Sequence, residues 1–131
     1  MPGLEVGLVG EARVAVDRSN VASTFGAGNV DVFATPAMIA LMENASANAV
    51  DHLLPAGSVT VGTAVDVRHL AATPIGLEVR ARAEVVQVDG RRLVLRVEAF
   101  DPVEKVGEGT HERAVVDLQR LLARAAAKGA G

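Results

Sequence analysis

Apolar residues recur along the chain in two rhythms, and the change between them marks the elements. From Leu4 to Asp17 the period is two. Leu4, Val6, Leu8, Ala12, Val14 and Val16 share one parity, and Glu11, Arg13 and Asp17 take the other, as in a half-buried strand. Ser19 to Asp31 is rich in Gly, Ser and Asn and predicts a loop. From Thr35 to Val50 the alternation gives way to a helical run. Thr35 suits an N-cap, Pro36 suits the first helical position, and no Gly or Pro follows before Pro55. Apolar residues go most of the way round this helix, the pattern of one buried on several sides. Glu43 is out of place there, because a carboxylate among apolar neighbours must be paired, hydrogen-bonded or protonated.

Between Ser58 and Asp117 the period returns to two. Val59, Val61, Val65 and Val67 share a parity with Thr63 and His69, which turns His69 toward the helix and Thr60, Asp66 and Arg68 outward. Thr73-Pro74-Ile75-Gly76 predicts a turn. Leu77, Val79, Ala81 and Ala83 face inward, Val85-Val86 breaks the phase and predicts a bulge, and Asp89-Gly90 predicts a hairpin. Leu93, Leu95, Val97 and Ala99 form the next inner face. The parity of the last strand, around Gly107 to Val116, is less clear. Leu118 to Lys128 predicts a short helix with a frayed Gly-Ala-Gly end. One strand, a long helix and four further strands make an α+β layout, a central helix laid on a curved antiparallel sheet of about five strands.

Composition narrows the function. The 131 residues predict one domain spanning 1–131, with a core of aliphatic residues because only three aromatics, all Phe, are present. A net charge of −3 and the lack of Tyr and Trp argue against nucleic acid as a partner. Without Cys there is no disulfide framework and no thiolate metal site, and the histidines are scattered, so no metal is expected. No signal-type or membrane-spanning run is seen, which leaves a cytoplasmic protein as the expectation, with no membrane partner.

Several segments resemble one known family. Val32-Phe-Ala-Thr-Pro36, Leu41-Met-Glu43, Val61-Gly-Thr-Ala64, His69-Leu-Ala-Ala-Thr-Pro74, Asp89-Gly-Arg-Arg92 and Gly109-Thr-His-Glu-Arg-Ala114 look like the fluoroacetyl-CoA thioesterase-like family of the hot-dog fold. The resemblance runs in order from about Val30 to Gln119. It implies hydrolysis of a small or short-chain acyl-CoA by a homodimer or a dimer of dimers, with no cofactor beyond the CoA of the substrate. It puts the catalytic Thr, Glu and His on Thr35, Glu43 and His69 and the active-site Gly on Gly62. Phe33 and Arg113, within the matching segments, join Gly62 as substrate-binding residues. One stretch departs from the family: Phe25 to Val30 replaces a Phe-rich lid, so the general chemistry is implied rather than a fluoroacetyl substrate.

The residue types suit that chemistry. Eight helical residues rise about 12 Å, so Thr35 and Glu43 cannot touch. An imidazole with two hydrogen bonds of about 2.8 Å would bridge them, from the same or another subunit, and His69 is the candidate. His69 would be the general base, Thr35 the nucleophile or water-positioner, and Glu43 the group that fixes the imidazole tautomer. Glu43 acting directly on water or thioester is a variant of this reading. Taken singly, Thr35 could be only a helix cap, His69 a core histidine and Glu43 an interface residue. Two other functions share the groove: a hot-dog hydratase, and an acyl-CoA binder without turnover.

Overall fold

The computed structural model describes residues 3–129. The first alternating run forms strand β1 only over Val9–Ala15, shorter than its apolar pattern. The Gly- and Ser-rich segment is not all loop. Ala22–Phe25 makes one helical turn, α1, closed by Gly26 in the left-handed conformation at φ 68°. The long helix α2 spans Thr35–Val50 as predicted, and a 3₁₀ turn, Asp51–Leu53, ends it. Strands β2 (Ser58–His69), β3 (Glu78–Asp89), β4 (Arg92–Phe100) and β5 (Lys105–Asp117) follow, then helix α3 (Leu118–Gly129). The last two residues of the predicted frayed end lie outside the described residues.

All five strands join one antiparallel sheet in the order β1-β3-β4-β5-β2, so β1 and β2 are its edges. The inner face carries Val79, Ala81, Ala83, Leu93, Leu95, Val97 and Ala99, all fully buried under α2. This is the hot-dog arrangement that the sequence implies. The helix buries one stripe, Met38, Leu41, Met42, Ala45, Ala49 and Val50. Ile39, Glu43 and Ala47 along the next face are only half-buried, and Ala40 is exposed. A single chain therefore leaves uncovered part of the apolar surface that suggested burial on several sides.

Small residues set how close helix and sheet come. A Cβ on Gly10 would run into the α2 backbone, with Ala49 Cα only 2.9 Å away. The predicted bulge is present, Val86 being the extra residue between the pairs Val85–Leu95 and Gln87–Val94. The hairpin turn centres on Gly90-Arg91, with Gly90 at φ 60°, the glycine-first pattern of a II′ turn.

A second bulge corrects the expected facing of β2. Gly62 opposes Arg113 and Ala64 opposes Glu112, so Thr63 is unopposed and the parity changes across it. Before it, Thr60 rather than Val59 and Val61 turns inward and is buried. After it, Val67 and His69 face in as expected, both half-buried. The alternation of valines hides this slip, because apolar residues occupy the same parity on both sides of it.

Candidate active site

The N-terminus of α2 and the end of β2 meet at one hydrogen bond. Thr35 Oγ1 lies 2.7 Å from His69 Nδ1. Thr35 is not the cap that its position suggested. Ala34 precedes the helix, and no side chain caps it, so the Thr35 hydroxyl is spent on the imidazole.

The backbone that brings these two together is tied down on both sides. Phe33 N–H donates to the Thr73 carbonyl at 2.8 Å, Ala34 N–H to Asn20 at 2.9 Å, and Leu70 N–H to Val106 at 2.7 Å. Thr73 in turn donates its hydroxyl to Asp101 at 2.9 Å. That carboxylate also accepts the Val103 and Glu104 amides, which hold its pKa below the usual range against the opposing effect of burial. Thr35 and His69 thus sit on fixed supports.

Beside the pair opens a cavity of about 370 Å³ lined by small apolar side chains, among them Ala22, Ala27, Val30 and Ala72, and by Phe33. Burial holds the His69 pKa below its ordinary value, and the Ala71 backbone opposes this more weakly. Burial thus favours the neutral imidazole, the form able to accept a proton. Its Nε2 is buried and is the one such side-chain atom among the described residues without a hydrogen-bond partner. The first-turn amides of α2 and the positive end of its dipole lie beside Thr35, suited to a developing oxyanion.

Glu43 is held elsewhere. Two turns down α2, its Oε2 accepts a 3.3 Å hydrogen bond from Arg113 Nη1, and the carboxylate side chain stays 43% exposed. Gly62 faces the same carboxylate, and a Cβ there would clash with it and come within 3.0 Å of His111 Cε1. No hydrogen bond joins Glu43 to His69 within one chain, so the single-imidazole bridge does not form there.

Arg113, with a side chain only 7% exposed, does the holding. Its Nε donates to Thr60 Oγ1 and its Nη2 to the Thr60 carbonyl, both at 2.9 Å, and Thr60 donates to Asp51 at 2.5 Å. His111 completes the network. Its Nδ1 donates to the Ala64 carbonyl at 2.8 Å, which leaves Nε2 to accept Arg113 Nη1 at 3.2 Å and fixes the ring's orientation. Thr60 and His111 escaped the sequence reading as site residues. The strand parity sent Thr60 outward, and His111 lies in the strand whose parity the sequence leaves unclear.

Two groups therefore stand apart in one chain: Thr35–His69 at the cavity that Phe33 also lines, and Glu43–Arg113–Gly62 further along the helix. A family model described as fluoroacetyl-CoA-specific thioesterase matches residues 16–119. The fluoroacetyl-CoA thioesterase of Streptantibioticus cattleyicolor is 49% identical over 94 residues, 72% of this chain and 68% of that one. A solved structure of the fluoroacetyl-CoA thioesterase FlK superposes with a TM-score of 0.90 at 39% identity, covering 96% of this chain and 98% of the other. A mutant of FlK in complex with fluoroacetate and CoA gives 0.84 at 40% identity, covering 90% and 99%. A hot-dog-like protein from Thermanaerovibrio acidaminovorans gives 0.84 at 30% identity, covering 94% and 91%.

Proposed function

The chain belongs to the fluoroacetyl-CoA-specific thioesterase family, and on that premise we propose that it hydrolyses a small acyl-CoA thioester to the free acid and CoA. The observation that carries this reading is the Thr35–His69 hydrogen bond at a cavity of small apolar residues. His69 Nδ1 takes the proton of the Thr35 hydroxyl, or of a water held by it, as that oxygen attacks the thioester carbon. Charge then builds on the carbonyl oxygen beside the α2 N-terminus. The C–S bond breaks and the sulfur leaves with the proton from His69. If Thr35 was the attacking group, a water repeats the cycle and frees the acid. One water is consumed for each acid and thiol released, and no metal or other cofactor takes part.

The site is completed by a second copy of the chain. The buried Nε2 of His69 lacks an acceptor, and Glu43 presents a half-exposed carboxylate held by Arg113. Edge strand β2 has no neighbour on its outer side and exposes Gly62 to Asp66. Antiparallel pairing of two such edges reverses the strand ends, which carries His69 of one copy toward Glu43, Gly62 and Arg113 of the other. In the resulting homodimer, Glu43 steadies the imidazolium across the interface. No helix among the described residues is long and apolar enough to cross a membrane, and use of CoA thioesters fits a cytoplasmic enzyme.

The decisive experiment is a panel of acyl-CoAs assayed for free thiol. We expect turnover of short acyl groups that declines as the chain outgrows the cavity. No thiol above the enzyme-free rate from any member would sink the proposal.

A further inference from the structure

A second concave site lies away from the cavity, where the β3–β4 turn meets α3. This cleft of about 560 Å³ is lined by Arg91, Arg120 and Arg124, with Asp117 as its one carboxylate. Local structure fixes the arginines there. Arg91 is the second residue of the hairpin turn, and its carbonyl accepts the Val115 amide at 2.8 Å. Arg120 and Arg124 are one turn apart on α3, so they project from the same face. Asp117 Oδ1 accepts the Arg120 amide at 2.9 Å and is thereby occupied in starting the helix.

Among the described residues these guanidiniums have no counter-ion. Every other arginine among the described residues except Arg68 has a carboxylate within salt-bridge distance, whereas Arg91, Arg120 and Arg124 have none. Arg92, next to Arg91, is paired with Glu112. Three free guanidiniums converging on one cleft, opposed by a single engaged carboxylate, form a site for a multiply charged anion. Leu121 adds an apolar wall suited to a heterocycle.

We propose that this cleft binds the phosphates of the CoA moiety, with Arg91, Arg120 and Arg124 as their ligands and the adenine against Leu121. The proposal rests on the acyl-CoA reading above. Position supports it. Val115 lies two residues beyond Arg113 on β5, about 7 Å along the strand, so the cleft adjoins the Glu43–Arg113 group. The start of β2 is tied to α3 through the Leu118 amide and the Gly57 carbonyl at 2.9 Å. In an antiparallel β2–β2 dimer that strand end lies toward His69 of the other copy, so phosphates in one subunit's cleft leave the pantetheine arm directed at the other's cavity.

The test compares the best acyl-CoA of the panel with the same acyl group on pantetheine, which lacks the phosphates of the nucleotide. In the wild type the CoA ester should have the lower KM. Arg120→Gln with Arg124→Gln should raise its KM roughly ten- to a hundredfold with kcat within about twofold, and leave the pantetheine ester unchanged. Arg91→Gln should act in the same direction. An unchanged KM, or an equal loss on both substrates, overturns the proposal. If the wild type turns over neither ester, the thioesterase reading has failed, and the cleft is judged by calorimetry with adenosine 3′,5′-bisphosphate. Binding that the double variant loses sustains it; equal or absent binding ends it. Co-sedimentation with phosphatidylglycerol vesicles that the double variant abolishes, alongside an unchanged KM, would instead assign α3 to a lipid surface.

Discussion

At the scale of single residues, the Thr35 hydroxyl separates two roles that the sequence left joined. Because it bonds His69 and caps nothing, Thr35→Ala should lower turnover while changing stability by no more than about 0.5 kcal/mol in denaturant melts. His69→Ala removes the base and should cost ~10²–10⁴-fold in kcat. The double variant should be little worse, since the two act as a unit. Thr35→Ser should retain most activity. Near-wild-type turnover in Thr35→Ala with none in Glu43→Gln would transfer the chemistry to Glu43. The pH profile provides a separate check. Burial lowers the His69 pKa, so the imidazole stays a base to lower pH than usual, and activity is lost as pH falls through that depressed value. Across the proposed interface the Glu43 carboxylate pulls the other way, so Glu43→Gln should move the acid limb of kcat/KM to lower pH. An acid limb that does not move would show that Glu43 does not face His69. Stability runs the same way. The unfolded chain binds the proton first, so folding weakens as pH falls from the unfolded toward the folded pKa of His69.

At the scale of elements, two glycines show how packing and chemistry divide the same helix. At Gly10 an added Cβ meets α2 backbone, which cannot move aside. Gly10→Ala should cost about 1–3 kcal/mol in chemical denaturation. At Gly62 the Cβ meets chiefly the Glu43 carboxylate, the end of a flexible side chain. Gly62→Ala should keep most of the stability and lose turnover by displacing Glu43 from Arg113. Equal stability losses in the two variants would refute that division. Much of this level was legible in the sequence. The Thr-Pro start of α2, its freedom from breakers, and the doubled valine of β3 each have a local cause. Two features had none. The α1 turn lies in a segment whose Ser and Gly content suits loops equally well. The Thr63 bulge falls in a run where slipping by one residue still leaves apolar side chains on both faces, so Thr60 could not be turned inward from pattern alone. The candidate residues could be picked out of the sequence one by one, but not their division into two groups, because the buried network of Arg113 depends on that hidden slip.

At the scale of the whole molecule, the open edge of β2 and the uncovered apolar residues of α2 argue for association. Sedimentation at micromolar concentration should give a multiple of the 13.5 kDa chain. Val65→Lys, on the exposed part of β2, should yield folded monomers without turnover. Active monomers would exclude the shared site. The roughly 12 Å between Thr35 and Glu43 along α2 has a consequence for heterozygous assemblies. If each centre draws His69 from one chain and Glu43 from the other, two dead proteins can rescue each other. A hybrid of His69→Ala and Glu43→Gln subunits concentrates both lesions in one centre and leaves the other intact. Mixing the two inactive preparations, after unfolding and joint refolding, should recover as much as half the wild-type rate in each hybrid. If every centre were built within one chain, no mixture would recover anything. Such intersubunit complementation would also make each variant harmless to the centre that its defect does not enter.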